Sequence, residues 1–181
     1  MGNFPFTARS AAGSRVQASG RSWEEDVERL LKHAHTIGVC TWWRTPDPMR
    51  KIEALPKGHF VCVPTGKGPP DFVVLYGGQA VACEAKQTSQ PRWNFSDLRV
   101  HQADGLDDWE AHGGHGAILL RLQGQALVVP WARLCEAWRA WSRLSTLAPR
   151  GTASLSIEDA LALGVEFDAC GRWLERVAVI R

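Results

Sequence analysis

Two apolar runs flanking a glycine pair constrain this chain more than any other feature. Phe72 to Tyr76 precedes Gly77-Gly78 and a second run ends at Ala85, which reads as two strands joined by a tight turn. Neither run shows the polar alternation of a surface hairpin, so both strands belong inside a sheet. Charge enters only at the ends. Asp71 opens the first strand after Pro69-Pro70, and Glu84 and Lys86 close the second. Alternate residues of a strand share a face, so Glu84 and Lys86 point one way and Val81, Cys83 and Ala85 the other. A carboxylate in such surroundings must be paired, bound to a metal, or placed at an open edge.

An aspartate followed at a distance by Glu-x-Lys is the PD-(D/E)xK nuclease pattern. Two carboxylates that hold a divalent cation beside a lysine are the parts needed to cut a phosphodiester with a metal-activated water. Spacing alone leaves a plainer reading open, an edge strand with a Glu/Lys pair on its surface. The apolar context of both strands favours the buried reading.

At 181 residues the chain has the length of one domain with a sizeable core. No apolar run approaches the ~20 residues of a membrane span, and the N-terminus lacks the apolar region of a signal peptide. The five cysteines are odd in number and form no Cys-x-x-Cys pair, which predicts buried thiols in a reducing cytoplasm. Net charge is only +2, so the placement of cations matters more than their sum. Arg9, Arg15 and Arg21 lie in an acid-free start, and Arg44, Arg50, Lys51, Lys57 and Lys67 cluster further on. Either stretch reads as a solvated tail or loop, or as a set of phosphate contacts.

Residues 1–21 are rich in Gly, Ser, Ala and Arg without periodicity, which predicts a disordered basic arm. Residues 22–181 are expected to form one domain. Ser22 with Glu25 makes a capping box for a helix whose apolar stripe is Trp23, Val27, Leu30, Leu31 and Ala34. Glu24 lies at the edge of that stripe, where it either leans toward a metal site or complements the helix dipole. A strand is expected over Val39 to Trp43. Residues 44–69 are then too rich in Pro and Gly for a helix and too long for an ordinary loop. After the paired strands comes a helix starting at Asn94 or Ser96 and carrying His101 and Gln102. Strands at Ala117–Leu122 and Leu127–Val129, a Trp-rich helix at Trp131–Leu144, a Ser156-capped helix at Ile157–Leu163 and a strand at Trp173–Ile180 complete the expected order. The fold class is thus α/β, with a mixed central sheet flanked by helices. Thr65-Gly66-Lys67-Gly68 lacks the glycine and Ser/Thr of a P-loop, His33 and His35 lie two apart on a helix and so diverge, and His112 and His115 have no third ligand in sequence reach.

Taken in order, these residues resemble the RecU family of Holliday junction resolvases over roughly residues 20 to 180. Gly20-Arg21-Ser22-Trp23-Glu24 resembles the family's opening motif, and Thr45-Pro46-Asp47-Pro48 its Pro-x-Pro turn. Asp71 with Glu84-Ala85-Lys86-Gln87-Thr88 is similar to its metal-site signature. Asn94-Phe95 with His101-Gln102 resembles its Asn-Phe-x-x-His-Gln helix, and Gly116 opens a matching strand. The chain departs from the family at Pro69 and Pro70, where close relatives have threonines, and at Gln87, where they have glutamate. Residues 48 to 69 stand in place of the family's stalk but are fewer.

The resemblance implies a restriction-endonuclease-like core and a junction-resolving endodeoxyribonuclease acting as a homodimer on branched DNA. Asp71, Glu84 and the Ala85 carbonyl would hold Mg²⁺, for which Mn²⁺ would substitute. Lys86 would orient or help deprotonate the attacking water, Gln102 would orient that water or Lys86, and Glu24 would assist the metal. Arg44, Arg50, Lys51, Lys57, Lys67 and Arg92 would touch DNA, and a branch-migration helicase is a possible partner. The setting would be the cytoplasm of a bacterium or of a virus-infected bacterial cell. Two rivals remain, another PD-(D/E)xK endonuclease of restriction or repair type and a junction-binding protein that does not cut.

Overall fold

The computed structural model describes residues 23–46, 48–66, 68–147, 153–168 and 170–178. The expected basic arm, the Ser22 cap, Asp47 and Lys67 lie outside them. Helix α1 covers 23–36 and buries Trp23, Val27, Leu31 and Ala34 along one stripe, the spacing of a single helical face. It ends in a Schellman motif. Gly38, at φ 78°, donates to His35 O at 3.0 Å, and the Val39 N–H reaches Ala34 O at 2.9 Å. That closure uses Val39, so strand β1 is Thr41–Arg44 and starts two residues later than the apolar pattern predicts.

The breaker-rich excursion is a hairpin. Strand β2 (Met49–Ala54) pairs antiparallel with β3 (Phe60–Pro64), and a short 3₁₀ turn at Pro56–Gly58 joins them. Pro56 and Gly58, which help exclude a helix here, build the turn instead. Every residue of β2 is exposed.

Strands β4 (Phe72–Tyr76) and β5 (Gln79–Thr88) form the expected antiparallel pair. Gly77 and Gly78 both take positive φ, 55° and 81°, as a two-residue type I′ turn demands. A short strand β6 (Trp93–Asn94) follows, then a 3₁₀ turn at Phe95–Asp97 and helix α2, Val100–Ala111. The helix therefore begins later than Asn94 or Ser96. Trp93 and Asn94 are drawn off to pair with strand β9, Ser154–Leu155. Strands β7 (His115–Leu122) and β8 (Gln125–Pro130) precede helix α3, Trp131–Leu147. Helix α4 (Ile157–Leu163) starts on the predicted Ser156, whose hydroxyl accepts from the Asp159 N–H at 3.1 Å.

Strand β10 (Val165–Glu166) precedes helix α5, Arg172–Ala178. The strand expected from Trp173 to Ile180 is thus a helix as far as it is described. Trp173, Leu174 and Val177 are all buried, and positions i, i+1 and i+4 fall together on a helix, not on a strand. Their aromatic and β-branched character imitated a strand.

Six strands make one mixed sheet in the order β1-β4-β5-β7-β8-β10. Only β5 and β7 run parallel, with α2 as the crossover between them. The sheet is covered on both faces. Val81, Cys83, Ala117 and Leu119 pack toward α1 and α5, whereas Ala82, Ile118, Leu120 and Leu122 pack toward α2, α3 and α4. Cys40 and Cys83 are buried as expected, but Cys62 and Cys135 are half-buried and Cys170 is exposed. No helix among the described residues is long and apolar enough to cross a membrane.

Candidate active site

The site forms where β4 begins and β5 runs on past it. Phe72 pairs with Cys83, so the next step of the ladder sets Asp71 against Glu84. Thr45 fixes the entry to β4. Its N–H donates to Asp71 O at 3.0 Å and its hydroxyl donates to Pro70 O. Sequence reading found Thr45-Pro46 as a turn but missed this clamp, because the partner lies a strand away.

Asp71 Oδ2 accepts the Ala85 N–H at 2.7 Å. In a strand the N–H and C=O of one residue turn to the same side, so the Ala85 carbonyl also faces the gap beyond the start of β4. Glu84 is 2% exposed and its carboxyl shares a hydrogen bond with that of Asp71. On the other side, Glu84 Oε2 accepts from Gln102 Nε2 at 2.6 Å and from Lys86 Nζ at 3.3 Å. Lys86 Nζ also donates to Gln102 Oε1 at 3.0 Å, closing a triangle of three side chains.

Gln102 owes its place to the start of α2. Its Oε1 accepts the Arg99 N–H at 3.1 Å, capping the helix one turn back. Ala103 and Leu106 of the same helix are fully buried against the sheet, so packing holds the amide over β5. Gly116, opposite Ala82 on β7, lets this side close up, because a Cβ there would lie 2.8 Å from Trp131 Cβ.

Electrostatics single out Glu84. Burial and the adjacent Asp71 carboxylate push its carboxyl up to about 8, and the Lys86 ammonium only partly offsets them. Two acids forced together in a nearly dry place favour a proton or a cation between them. Among the described residues no cluster of three or more His, Cys, Asp or Glu side chains occurs. The available donors are therefore two carboxylates and a main-chain carbonyl. An oxygen-only set of this kind suits a hard ion such as Mg²⁺ or Mn²⁺, and the residues fit one.

The remaining candidates fall elsewhere. Glu24 is on α1 and bonds the Arg44 guanidinium, which also reaches Glu28 at 3.3 Å. Arg44 pairs with Phe72 across β1 and β4, so this ionic group lies on the α1 face, and Glu84 and Lys86 point to the α2 face. Arg50, Lys51 and Lys57 are exposed on the β2–β3 hairpin, with Lys51 Nζ 3.7 Å above the Phe60 ring. Arg92 is half-exposed and bonds Ser154 Oγ at 2.7 Å, Ser154 O at 2.8 Å and Asp159 Oδ2 at 3.0 Å. It ties the β6–β9 pair to α4.

The family model described as RecU, recombination protein U, matches residues 20–148. Among solved structures, the Holliday junction resolvase Hjc of the archaeal hyperthermophile Archaeoglobus fulgidus is similar at 16% identity and a TM-score of 0.48. The match covers 81% of this chain and 95% of that one. No curated protein matches the chain in sequence.

Proposed function

This chain belongs to the RecU family of recombination proteins, and on that premise we propose that it is a metal-dependent endodeoxyribonuclease that resolves four-way DNA junctions as a homodimer. The observation that carries the reading is the Asp71–Glu84–Lys86 constellation, two abutting acids with an ammonium 3.3 Å from one of them. Buried charge of this density disfavours a purely structural role, since an apolar replacement is generally at least as stable.

Asp71, Glu84 and the Ala85 carbonyl are the groups that would hold Mg²⁺ or Mn²⁺. The chemistry such an ion supplies when bound is polarisation of the scissile phosphate and a lowered pKa for water beside it. Lys86 contributes a fixed positive charge where negative charge grows on the phosphate, and its N–H groups orient the attacking water. Gln102 holds Glu84 and Lys86 with the two ends of one amide and so keeps their spacing.

A four-way junction has near two-fold symmetry, and resolution needs two matched nicks. Two copies related by a two-fold axis meet that need. Shape and phosphate placement would decide specificity more than base edges. The exposed β2–β3 hairpin, bearing Arg50, Lys51 and Lys57, is the part with the reach to enter an open junction centre. The test is cleavage of a synthetic four-way junction beside a linear duplex of the same sequence, with Mg²⁺ and with EDTA. Paired nicks, much faster in the junction than in the duplex and only with Mg²⁺, are expected. Equal cutting of the duplex would make the protein a general PD-(D/E)xK endonuclease, and binding without nicks would make it a non-cleaving junction protein.

A further inference from the structure

Five residues, Ser96 to Val100, stand between Phe95 and His101, where the Asn-Phe-x-x-His-Gln motif that this segment resembles has two. The longer segment is firmly anchored. Phe95 and Leu98 are 3% and 2% exposed. Phe95 O accepts from the Leu98 N–H at 3.1 Å and from Trp138 Nε1 at 3.2 Å. Just after this anchor comes Arg99, whose main chain is held at both ends. Its N–H donates to Gln102 Oε1 at 3.1 Å, and its carbonyl accepts from the N–H groups of Gln102 and Ala103 at 3.0 and 3.1 Å.

The side chain is in the opposite state. It is exposed, and among the described residues no carboxylate lies within ion-pair distance of it. Arg44 and Arg92, by contrast, are already bonded to Glu24, Glu28 and Asp159. Gln102 Oε1, which holds the Arg99 main chain, is also the atom that accepts from Lys86 Nζ at 3.0 Å. A single acceptor atom therefore links the backbone that carries this guanidinium to the ammonium beside the Asp71–Glu84 pair.

We propose that Arg99 holds a phosphate of the strand being cut, the one next to the scissile phosphate. A guanidinium offers a planar fork of N–H donors that matches two phosphate oxygens, and a fixed main chain sets where that fork begins. Two acids at the site repel a phosphate backbone, and Lys86 is already bonded to one of them. A further cation at the rim offsets that repulsion. The proposal rests on the nuclease reading and adds to it a residue that sets the register of the cut strand over the acids.

A double-mutant cycle between residue and phosphate tests it. The cut is first mapped on an unmodified four-way junction, and a neutral methylphosphonate then replaces each flanking phosphate in turn. Single-turnover nicking in Mg²⁺ is measured for wild type, Arg99→Gln and Arg99→Lys, all of which keep the main-chain bond to Gln102. At one flanking position the modification should slow wild type about 10- to 100-fold, the loss of one charged hydrogen-bonded contact. Arg99→Gln should show a loss of that size on the unmodified junction, and the same methylphosphonate should slow it no further. Arg99→Lys keeps the charge without the fork and should fall between. Losses that add at every flanking phosphate would overturn the proposal, as would an Arg99→Gln variant as fast as wild type. Junction binding in EDTA separates the proposal from the reading beneath it. Its log–log salt slope should flatten by about 0.9 unit in Arg99→Gln and stay unchanged in Arg99→Lys. If wild type nicks no junction, the nuclease reading falls, and this slope decides alone: flattened, Arg99 still holds a phosphate; unchanged, it does not.

Discussion

Strand β5 and the β2–β3 hairpin carry the same kinds of charge in opposite settings. In β5, Glu84 and Lys86 are 2% and 14% exposed and are locked to each other and to Gln102. In β2, Arg50, Lys51 and Glu53 are all exposed, and the whole strand touches mainly its partner β3. Desolvation makes the first set costly to keep charged and strongly coupled, so its geometry is narrow and suits chemistry. Water screens the second set, so its geometry is loose and suits contact with a phosphate backbone whose position varies. Under the proposed function, cutting would belong to the first region and junction choice to the second.

The largest expected effect comes from removing a carboxylate. Asp71→Asn or Glu84→Gln should lower single-turnover nicking by on the order of 10³-fold, with junction binding in gel shifts retained or stronger, because negative charge near phosphate is lost. Glu84→Gln should also remove a pH dependence of stability. A carboxyl raised in the folded state from 4.5 to about 8 binds more protons folded than unfolded between those values. Stability of the metal-free protein must then fall as pH rises through that window and level off above it. Melting in EDTA from pH 5 to pH 9 should show this slope in wild type and a flatter one in Glu84→Gln. Identical slopes would mean the acid pair is not as desolvated as the geometry demands.

Lys86→Ala comes next. Its nicking rate should drop by about 10²-fold or more, while melting at pH 7 changes little beyond the loss of one partly buried ion pair. Unfolding as its main consequence would return the pair to a structural role. Gln102→Ala should cost about 10- to 100-fold, as other supporting hydrogen-bond partners of metal ligands do, and Gln102→Glu should do worse by setting a third carboxylate beside Glu84.

The smallest effects belong to the hairpin. Replacing Arg50, Lys51 and Lys57 by glutamine should leave the melting temperature nearly unchanged. The log–log salt slope of junction binding should flatten by about 0.9 unit for each phosphate contact removed. Unchanged salt dependence would take the hairpin out of the DNA interface.

The division between buried and exposed regions also governs what the sequence revealed. Asp71, Glu84 and Lys86 were legible because apolar alternation and a glycine pair fix strand faces locally. Ser156 was legible because a cap is read over a few residues. Gln102 could be placed only through the resemblance, and the bond that holds its amide, from the Arg99 N–H, shows only in three dimensions. Arg44 is expected from the resemblance to touch DNA, and in the fold it bonds Glu24 and Glu28 on a helix earlier in the chain. Nothing in its neighbourhood announces that pairing. Arg92 likewise meets partners more than sixty residues on. The excursion 44–69 stands out in the sequence but not as a hairpin, because a proline and a glycine that read as breakers, Pro56 and Gly58, make its turn. The C-terminal segment failed through composition. Trp173 and Val177 favour strands in isolation, and tertiary burial against the α1 face makes the segment a helix.

The assignment of cutting to the buried region and choosing to the exposed one is tested most directly by single-turnover cleavage with the hairpin shortened. Residues 50–63 would be replaced by a short glycine turn, and nicking in Mg²⁺ measured on a four-way junction and on a duplex of the same sequence. The account predicts that wild type cuts the junction much faster than the duplex. It predicts that shortening erases most of that preference by slowing the junction alone, with duplex nicking unchanged. An equal loss on both substrates, or a preference that survives intact, would contradict it.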